Sequence, residues 1–214
     1  MVKKATKGRC LLCNGIYTGF GMAKHLQSCL PKHIENQHRN NKSKSQSFFH
    51  IMVRGAHAPD YWLHLKIASN AKLRNLDQFL RDIWLECCGH MSAFSYAGQE
   101  LGMGRRVGDT LYSGMELLHE YDFGDTTVLL IKVLGDYEVP IKGKKPIEIL
   151  ARNDPPEILC DVCGKASAVK ICTECQWEGS GWLFQPCAEE HECDEEMRLP
   201  VVNSPRTGVC GYTG

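Results

Sequence analysis

Apolar and polar residues alternate most regularly between residues 48 and 152, and that stretch carries the predicted core. Phe48–Val53 and Tyr61–Ile67 are predicted strands joined by the loop Arg54–Asp60. In the second strand Trp62, His64 and Lys66 face one way, and Leu63, Leu65 and Ile67 the other. Leu76, Phe79, Leu80, Ile83, Trp84 and Cys87 then recur at helical spacing behind an Asn75/Gln78 capping pair, with Gly89 placed to end the helix. Further strands are predicted at Met91–Tyr96, Glu116–Phe123, Thr126–Leu134 and Pro146–Ala151. Two strands, one amphipathic helix and more strands predict an α+β core: a central mixed sheet with that one helix covering a face, in a β-grasp-like arrangement.

On either side of this core the apolar pattern thins and cysteine replaces it. Residues 1–30 hold Cys10-x-x-Cys13 and His25-x-x-x-Cys29, a complete ligand set for one zinc ion. Residues 22–29 suit a helix with His25 and Cys29 one turn apart on one face, and Tyr17 and Met22 supply a small core that the metal holds together. This is the pattern of a CCHC-type finger, used for both nucleic-acid and protein contacts. Residues 31–47 are polar and rich in Asn, Lys and Ser, which predicts a linker and an independently moving finger.

Asn153-Asp-Pro-Pro156 opens a tail over residues 153–214, which contains Cys160, Cys163, Cys172, Cys175, Cys187, His191, Cys193 and Cys210. Those eight side chains suffice for two four-coordinate zinc ions, bringing the expected total to three per chain. Two interleaved sites would give a cross-braced module, and two sequential sites are the alternative; the spacing does not choose. Four ligands apiece leave no open position for water, which makes the sites structural. The N-terminus lacks the apolar segment of a secretory signal. The longest apolar run, Thr127–Leu134, is interrupted by Lys132 and too short to span a membrane. A cytoplasmic chain, with thiols available for metal and not disulfide-bonded, is therefore expected.

The formal net charge of zero conceals an asymmetry. Residues 1–46 carry nine basic side chains against Glu35 alone, so the remainder is correspondingly acidic. Nucleic-acid contact is expected through residues 1–46, and contact with a protein partner through the acidic tail. Of the tail aromatics, Trp177, Trp182 and Phe184 suit either a small core or an exposed anchor.

The run Trp84-Leu-Glu-Cys-Cys-Gly-His-Met-Ser-Ala-Phe94 and the run His119-Glu-Tyr-Asp-Phe-Gly-Asp-Thr-Thr127 resemble the Ri-plasmid ORF-three-like family. Leu199–Tyr212 resembles the zinc-tail branch of that family, so the likeness covers residues 48–212. It implies association with plasmids and transposable elements and carries no established activity. Relatives often have a cysteine where this chain has Phe184, which implies that Cys193 or Cys210 completes a tail site.

These features favour a zinc-dependent binding or adaptor protein, with a protein scaffold acting through the tail as an alternative. The rival is an enzyme using Cys87 or Cys88 with His90 and Asp122 or Asp125. Both cysteines fall at the C-terminal end of the predicted helix, where the dipole opposes thiolate formation, so buried structural cysteines are preferred. Asp122-Phe123-Gly124 lacks the other motifs of a kinase and reads as a hairpin turn, with Gly124 at positive φ and Asp125 bonding the turn backbone.

Overall fold

The chain begins with a small hairpin, β1 (Lys7–Cys10) and β2 (Ile16–Thr18), followed by a long helix, α1 (Gly19–Asn40). The structure is a computed structural model that describes residues 5–40, 45–140 and 145–214; Lys3, Lys4, Lys42 and Lys44 of the basic N-terminal set lie outside them. Next come β3 (Ser45–Gly55), β4 (Trp62–Ala68), α2 (Leu73–Leu80), β5 (Ser92–Tyr96), β6 (Gln99–Leu101) and the single turn α3 (Val107–Thr110). The core ends with β7 (Glu116–Tyr121), β8 (Thr127–Pro140) and β9 (Ile147–Asn153).

The architecture is α+β, as expected, but among the described residues every ladder is antiparallel, so the sheet is not mixed. Its nine strands run in the order β2-β1-β9-β4-β3-β8-β7-β5-β6, an order that leaves the β-grasp expectation without support. The alternation in β3 and β4 assigns their side chains to two cores. Ile51, Val53, Leu63, Leu65 and Ile67 pack beneath α2 with Leu73, Leu76 and Leu80. On the opposite face, Phe48, Met52 and Trp62 pack against Met22, Leu26, Leu30 and Ile34 of α1. Two helices therefore cover the sheet, one on each side.

The expected linker at residues 31–47 is corrected accordingly. Helix α1 continues to Asn40, and β3 already begins at Ser45. Met22, Leu26, Leu30 and Ile34 recur every four residues and form one buried stripe. Its burial carries the helix through Pro31, although proline removes one helical hydrogen bond. The finger does not stand apart either. β1 pairs with β9 through Gly8↔Asn153, Arg9↔Arg152 and Cys10↔Ala151. A Cβ at Gly8 would lie 2.0 Å from the Arg152 carbonyl oxygen and 2.8 Å from the Trp62 ring, so only glycine allows this approach.

His50 and His64 sit fully buried on the α1 side. The His64 Nε2–H donates to the Gly19 carbonyl at 3.3 Å, so its Nδ1 accepts from His50 Nε2 at 3.0 Å. Burial pushes His50 down to about 3 and His64 down to about 4, so both stay neutral in the folded chain.

The predicted capping pair is also displaced. The Lys72 N–H donates to Asn75 Oδ1, so α2 starts one turn earlier, and the helix closes in a π turn at Arg81–Leu85.

Two predictions follow from this packing. Leu26→Ala, although it lies in the finger, should destabilise the whole chain by about 2–5 kcal/mol in a single denaturant transition; a separate early transition would show an autonomous finger. Acid should destabilise the chain from pH 6.5 downward towards about 4 and about 3, because the unfolded histidines take protons that buried His64 and His50 refuse. His50→Gln should lose less stability over that interval than the wild type in thermal melts.

Candidate metal centres

All twelve cysteines of the chain fall into four clusters, three of them containing a histidine, and in each cluster the ligand atoms lie within 4.8 Å of one another. Each cysteine is a free thiol. These four groups can hold a metal ion, and their thiolate-imidazole composition suits zinc.

The first is the predicted finger set, Cys10, Cys13, His25 and Cys29. Cys10 is the last residue of β1. The turn beyond it is closed by Cys10 N–H to the Gly15 carbonyl and Asn14 N–H to the Cys10 carbonyl, with Asn14 in the left-handed region. Helix α1 supplies His25, 3.2 Å from Cys13 Sγ, and Cys29 one turn later. Tyr17 stacks on the His25 ring at 4.2 Å, while Met22 belongs to the core under α1 and not to a separate finger core. A backbone N–H from Gly15 draws the Cys13 thiol below its usual range. Burial, reinforced by Cys13 and Cys10, pushes Cys29 up to about 12.

The tail folds around β10 (Lys170–Cys172), β11 (Trp182–Leu183), the short helix α4 (Gln185–Glu189) and β12 (Arg198–Pro200), with the three strands ordered β11-β10-β12. Its apolar core is small, with Leu183 and Ala188 packed around Cys172. Cys172, Cys175, His191 and Cys193 form one complete set, with Cys175 Sγ 3.5 Å from both His191 Nε2 and Cys193 Sγ. Two thiolates on one tetrahedral zinc stand roughly 3.8 Å apart, given Zn–S bonds of about 2.3 Å. Cys160, Cys163 and Cys187 form the other set. Cys187 lies beyond the second Cys-x-x-Cys pair in the chain, so the two groups interleave and the module is cross-braced.

Two expectations about the tail are corrected here. Among the described residues the Cys160 group has three ligands and not four. Cys193 belongs to the other set, and Cys210 has left the tail groups altogether. Phe184, which precedes α4, contributes only its backbone N–H, directed at Cys160. Burial opposes ionisation of Cys160, yet the amides of Cys163, Phe184 and Val162 bring it to about 7. Burial likewise opposes ionisation of Cys172, which the Cys175 amide and His191 bring to about 7. Burial next to Cys160 and Cys163 pushes Cys187 up to about 11.

The fourth group, Cys87, Cys88, His90 and Cys210, joins the core to the end of the chain. Cys88 Sγ lies 3.6 Å from Cys87 Sγ, 3.7 Å from Cys210 Sγ and 2.9 Å from His90 Nε2, and His90 Nε2 lies 3.2 Å from Cys210 Sγ. The cysteines are not the buried structural residues expected, since Cys88 is exposed and Cys87 partly so. No sequence spacing links residue 210 to residues 87–90, and only the fold reveals the set.

The same coordinates count against a cysteine nucleophile. Asp122 Oδ2 approaches His90 at Nε2, 3.4 Å away, which is also the nitrogen facing Cys88. A base relay needs the thiol on one ring nitrogen and the carboxylate on the other. Contacts with Cys87 and Cys210 push Cys88 up to about 12, away from activation. Asp122 is instead held by Arg206 at 2.6 Å, which keeps its carboxyl below the usual range. Asp125 enters through its backbone: its carbonyl accepts from Arg206, and its N–H donates to Asp122 Oδ1. The residue of this turn at positive φ is Asp122, not Gly124.

No family model matches the chain, and no curated protein does. A solved structure of a Methanosarcina mazei Go1 protein of unknown function is similar at 15% identity and a TM-score of 0.43, over 50% of this chain and 69% of that one. Among the described residues no helix is long and apolar enough to cross a membrane.

Filling these groups requires thiols such as Cys29, Cys88 and Cys187 to lose protons they otherwise retain. Zinc uptake should therefore release protons, and affinity should weaken as the pH falls from about 8 to about 6. Chelator competition across that range checks this, and a pH-independent affinity would contradict thiolate ligation.

Proposed function

We propose that the protein is a zinc-dependent binding module that contacts a polyanion backbone through the outer face of its N-terminal helix. The observation that carries this reading is a basic stripe on α1. Lys24, Lys32 and Arg39 lie exposed on the face opposite the buried Met22–Ile34 stripe, with one acid, exposed Glu35, among them. Phe20, 78% exposed, stands at the start of the same helix, where an aromatic ring can stack on an unpaired base. The finger ligands His25 and Cys29 tie the first turns of α1 to the end of β1. Zinc in the finger and tail groups serves the fold. The resemblance to the Ri-plasmid ORF-three-like family adds an association with mobile elements to this reading.

Catalysis is the weaker reading because the Cys88–His90–Asp122 arrangement lacks relay geometry. Protein docking through the tail is favoured by one observation: Trp177 is 81% exposed, with exposed Glu174 and Glu178 near it in sequence.

Because β1 and α1 belong to the sheet and the core, deleting residues 1–46 would damage the fold and test nothing. The usable variant is Lys24→Gln with Lys32→Gln and Arg39→Gln, compared with wild type on labelled single-stranded and duplex nucleic acid across a salt series. Each phosphate contact contributes a log–log slope of about −0.9 on duplex or about −0.7 on single strands, so the triple variant should bind more weakly and flatten the slope by about 3 on duplex and about 2 on single strands. If the wild type does not bind at low salt, the polyanion reading is wrong, and Trp177→Ala in a search for protein partners becomes the next experiment.

A further inference from the structure

We propose that Cys87, Cys88, His90 and Cys210 bind a fourth metal ion, a zinc-class divalent cation, and that this ion staples the end of the chain to the core sheet. The inference does not depend on nucleic-acid binding.

Three features beyond the convergence of ligand atoms support it. First, both segments adopt backbone conformations that serve ligation. Cys210 has φ 49° and Gly211 φ 67°, and Gly89 (φ 77°) folds the Cys-Cys-Gly-His loop so that thiols and imidazole face together. The left-handed conformation is unfavourable for a non-glycine residue and points to a constraint at Cys210. Cys163-Gly164 in the tail has the same Cys-Gly pattern, with Gly164 at φ 64°.

Second, the surroundings position the ligands. Arg81 donates to the His90 carbonyl at 2.6 Å and to Glu86 at 2.7 Å, and Glu86 Oε1 accepts from the Gly89 N–H at 2.6 Å. Arg81 is itself held by Asp77 at 3.0 Å. On the other side, Arg206 reaches Cys87 Sγ at 3.5 Å. Arg206, paired with Asp122, thereby also directs an N–H donor at the Cys87 sulfur and orients it as a ligand.

Third, the chain between the tail module and Cys210 already lies on the core. Asn203 exchanges hydrogen bonds with Asn153, Ser204 Oγ donates to the Trp84 carbonyl, and Arg206 is fully buried against Asp122 and Thr127. Cys210 follows within one short turn, so the metal closes the final stretch over the buried Arg206. Three sulfurs and one nitrogen make a closed tetrahedral set, with no position left for a reacting water.

The test is metal content per chain for the wild type, Cys88→Ser and Cys210→Asn, with Cys13→Ser as a control for a different group. Asparagine tolerates the φ of residue 210 but offers no thiolate, so Cys210→Asn keeps the test available if Cys88→Ser does not fold. Each variant should lose one ion per chain while the other groups stay loaded. Trypsin cleavage after Arg206 should accelerate on the order of tenfold in Cys210→Asn and in chelated wild type, because cleavage reports the open population. An unchanged metal count in Cys210→Asn overturns the proposal. So does intact-mass evidence of a Cys88–Cys210 disulfide in the native chain. Loss of one ion without faster cleavage retains the metal site and overturns the staple.

Discussion

Neighbouring thiolates repel one another, and every cysteine in this chain has at least two others as neighbours. Without a cation, one thiol in each cluster, Cys29, Cys88, Cys187 or Cys193, is pushed up by burial and by its neighbouring sulfurs and holds its proton. A divalent ion reverses that balance, so thiolate clustering and metal binding become one event. An ion held in this way would add order to the periphery. The tail's own apolar cluster is small, Cys172, Leu183 and Ala188, and little packing surrounds its two ligand sets.

The central sheet follows different physics. Its two cores are apolar and continuous, and its polar groups concentrate around Tyr121. That buried ring has two guanidiniums against it, Arg81 and Arg206, each 4.8 Å from its centroid. One cation comes from the turn after α2 and the other from near the end of the chain, so a core aromatic joins two distant segments. Asn153 joins others: its side chain accepts from the Trp62 N–H and donates to Asn203, while its backbone pairs with Gly8.

The strands and the covering helix of the core were legible because period-two and period-3.6 patterns survive where a face is buried. Twelve candidate ligands stand out by type, since paired cysteines at short spacing announce themselves. Their grouping was legible only where the partners are near in sequence. Cys10 and Cys13 with His25 and Cys29 form such a set, whereas Cys210 was drawn to the tail by proximity and belongs with Cys88 and His90 across the fold. The linker expectation failed because polar composition outweighed a four-residue repeat. Leu30 and Ile34 extend the stripe begun by Met22 and Leu26, and Pro31 concealed it. The buried Arg206–Asp122 pair has no sequence signal, because arginine ordinarily reads as surface.

The pairing of β1 with β9 also bears on how the chain is made. Gly8 finds its partner only when Asn153 has been synthesised, so the finger emerges first and is seated late. Until then the outer edge of β9 has no neighbour, a row of unpaired amides and carbonyls of the kind that recruits other chains. The finger ligand set is complete by Cys29, well before any sheet partner exists. Ligation there can precede the sheet, but the packing of β1, Met22 and Leu26 waits for β9 and the core beneath α1.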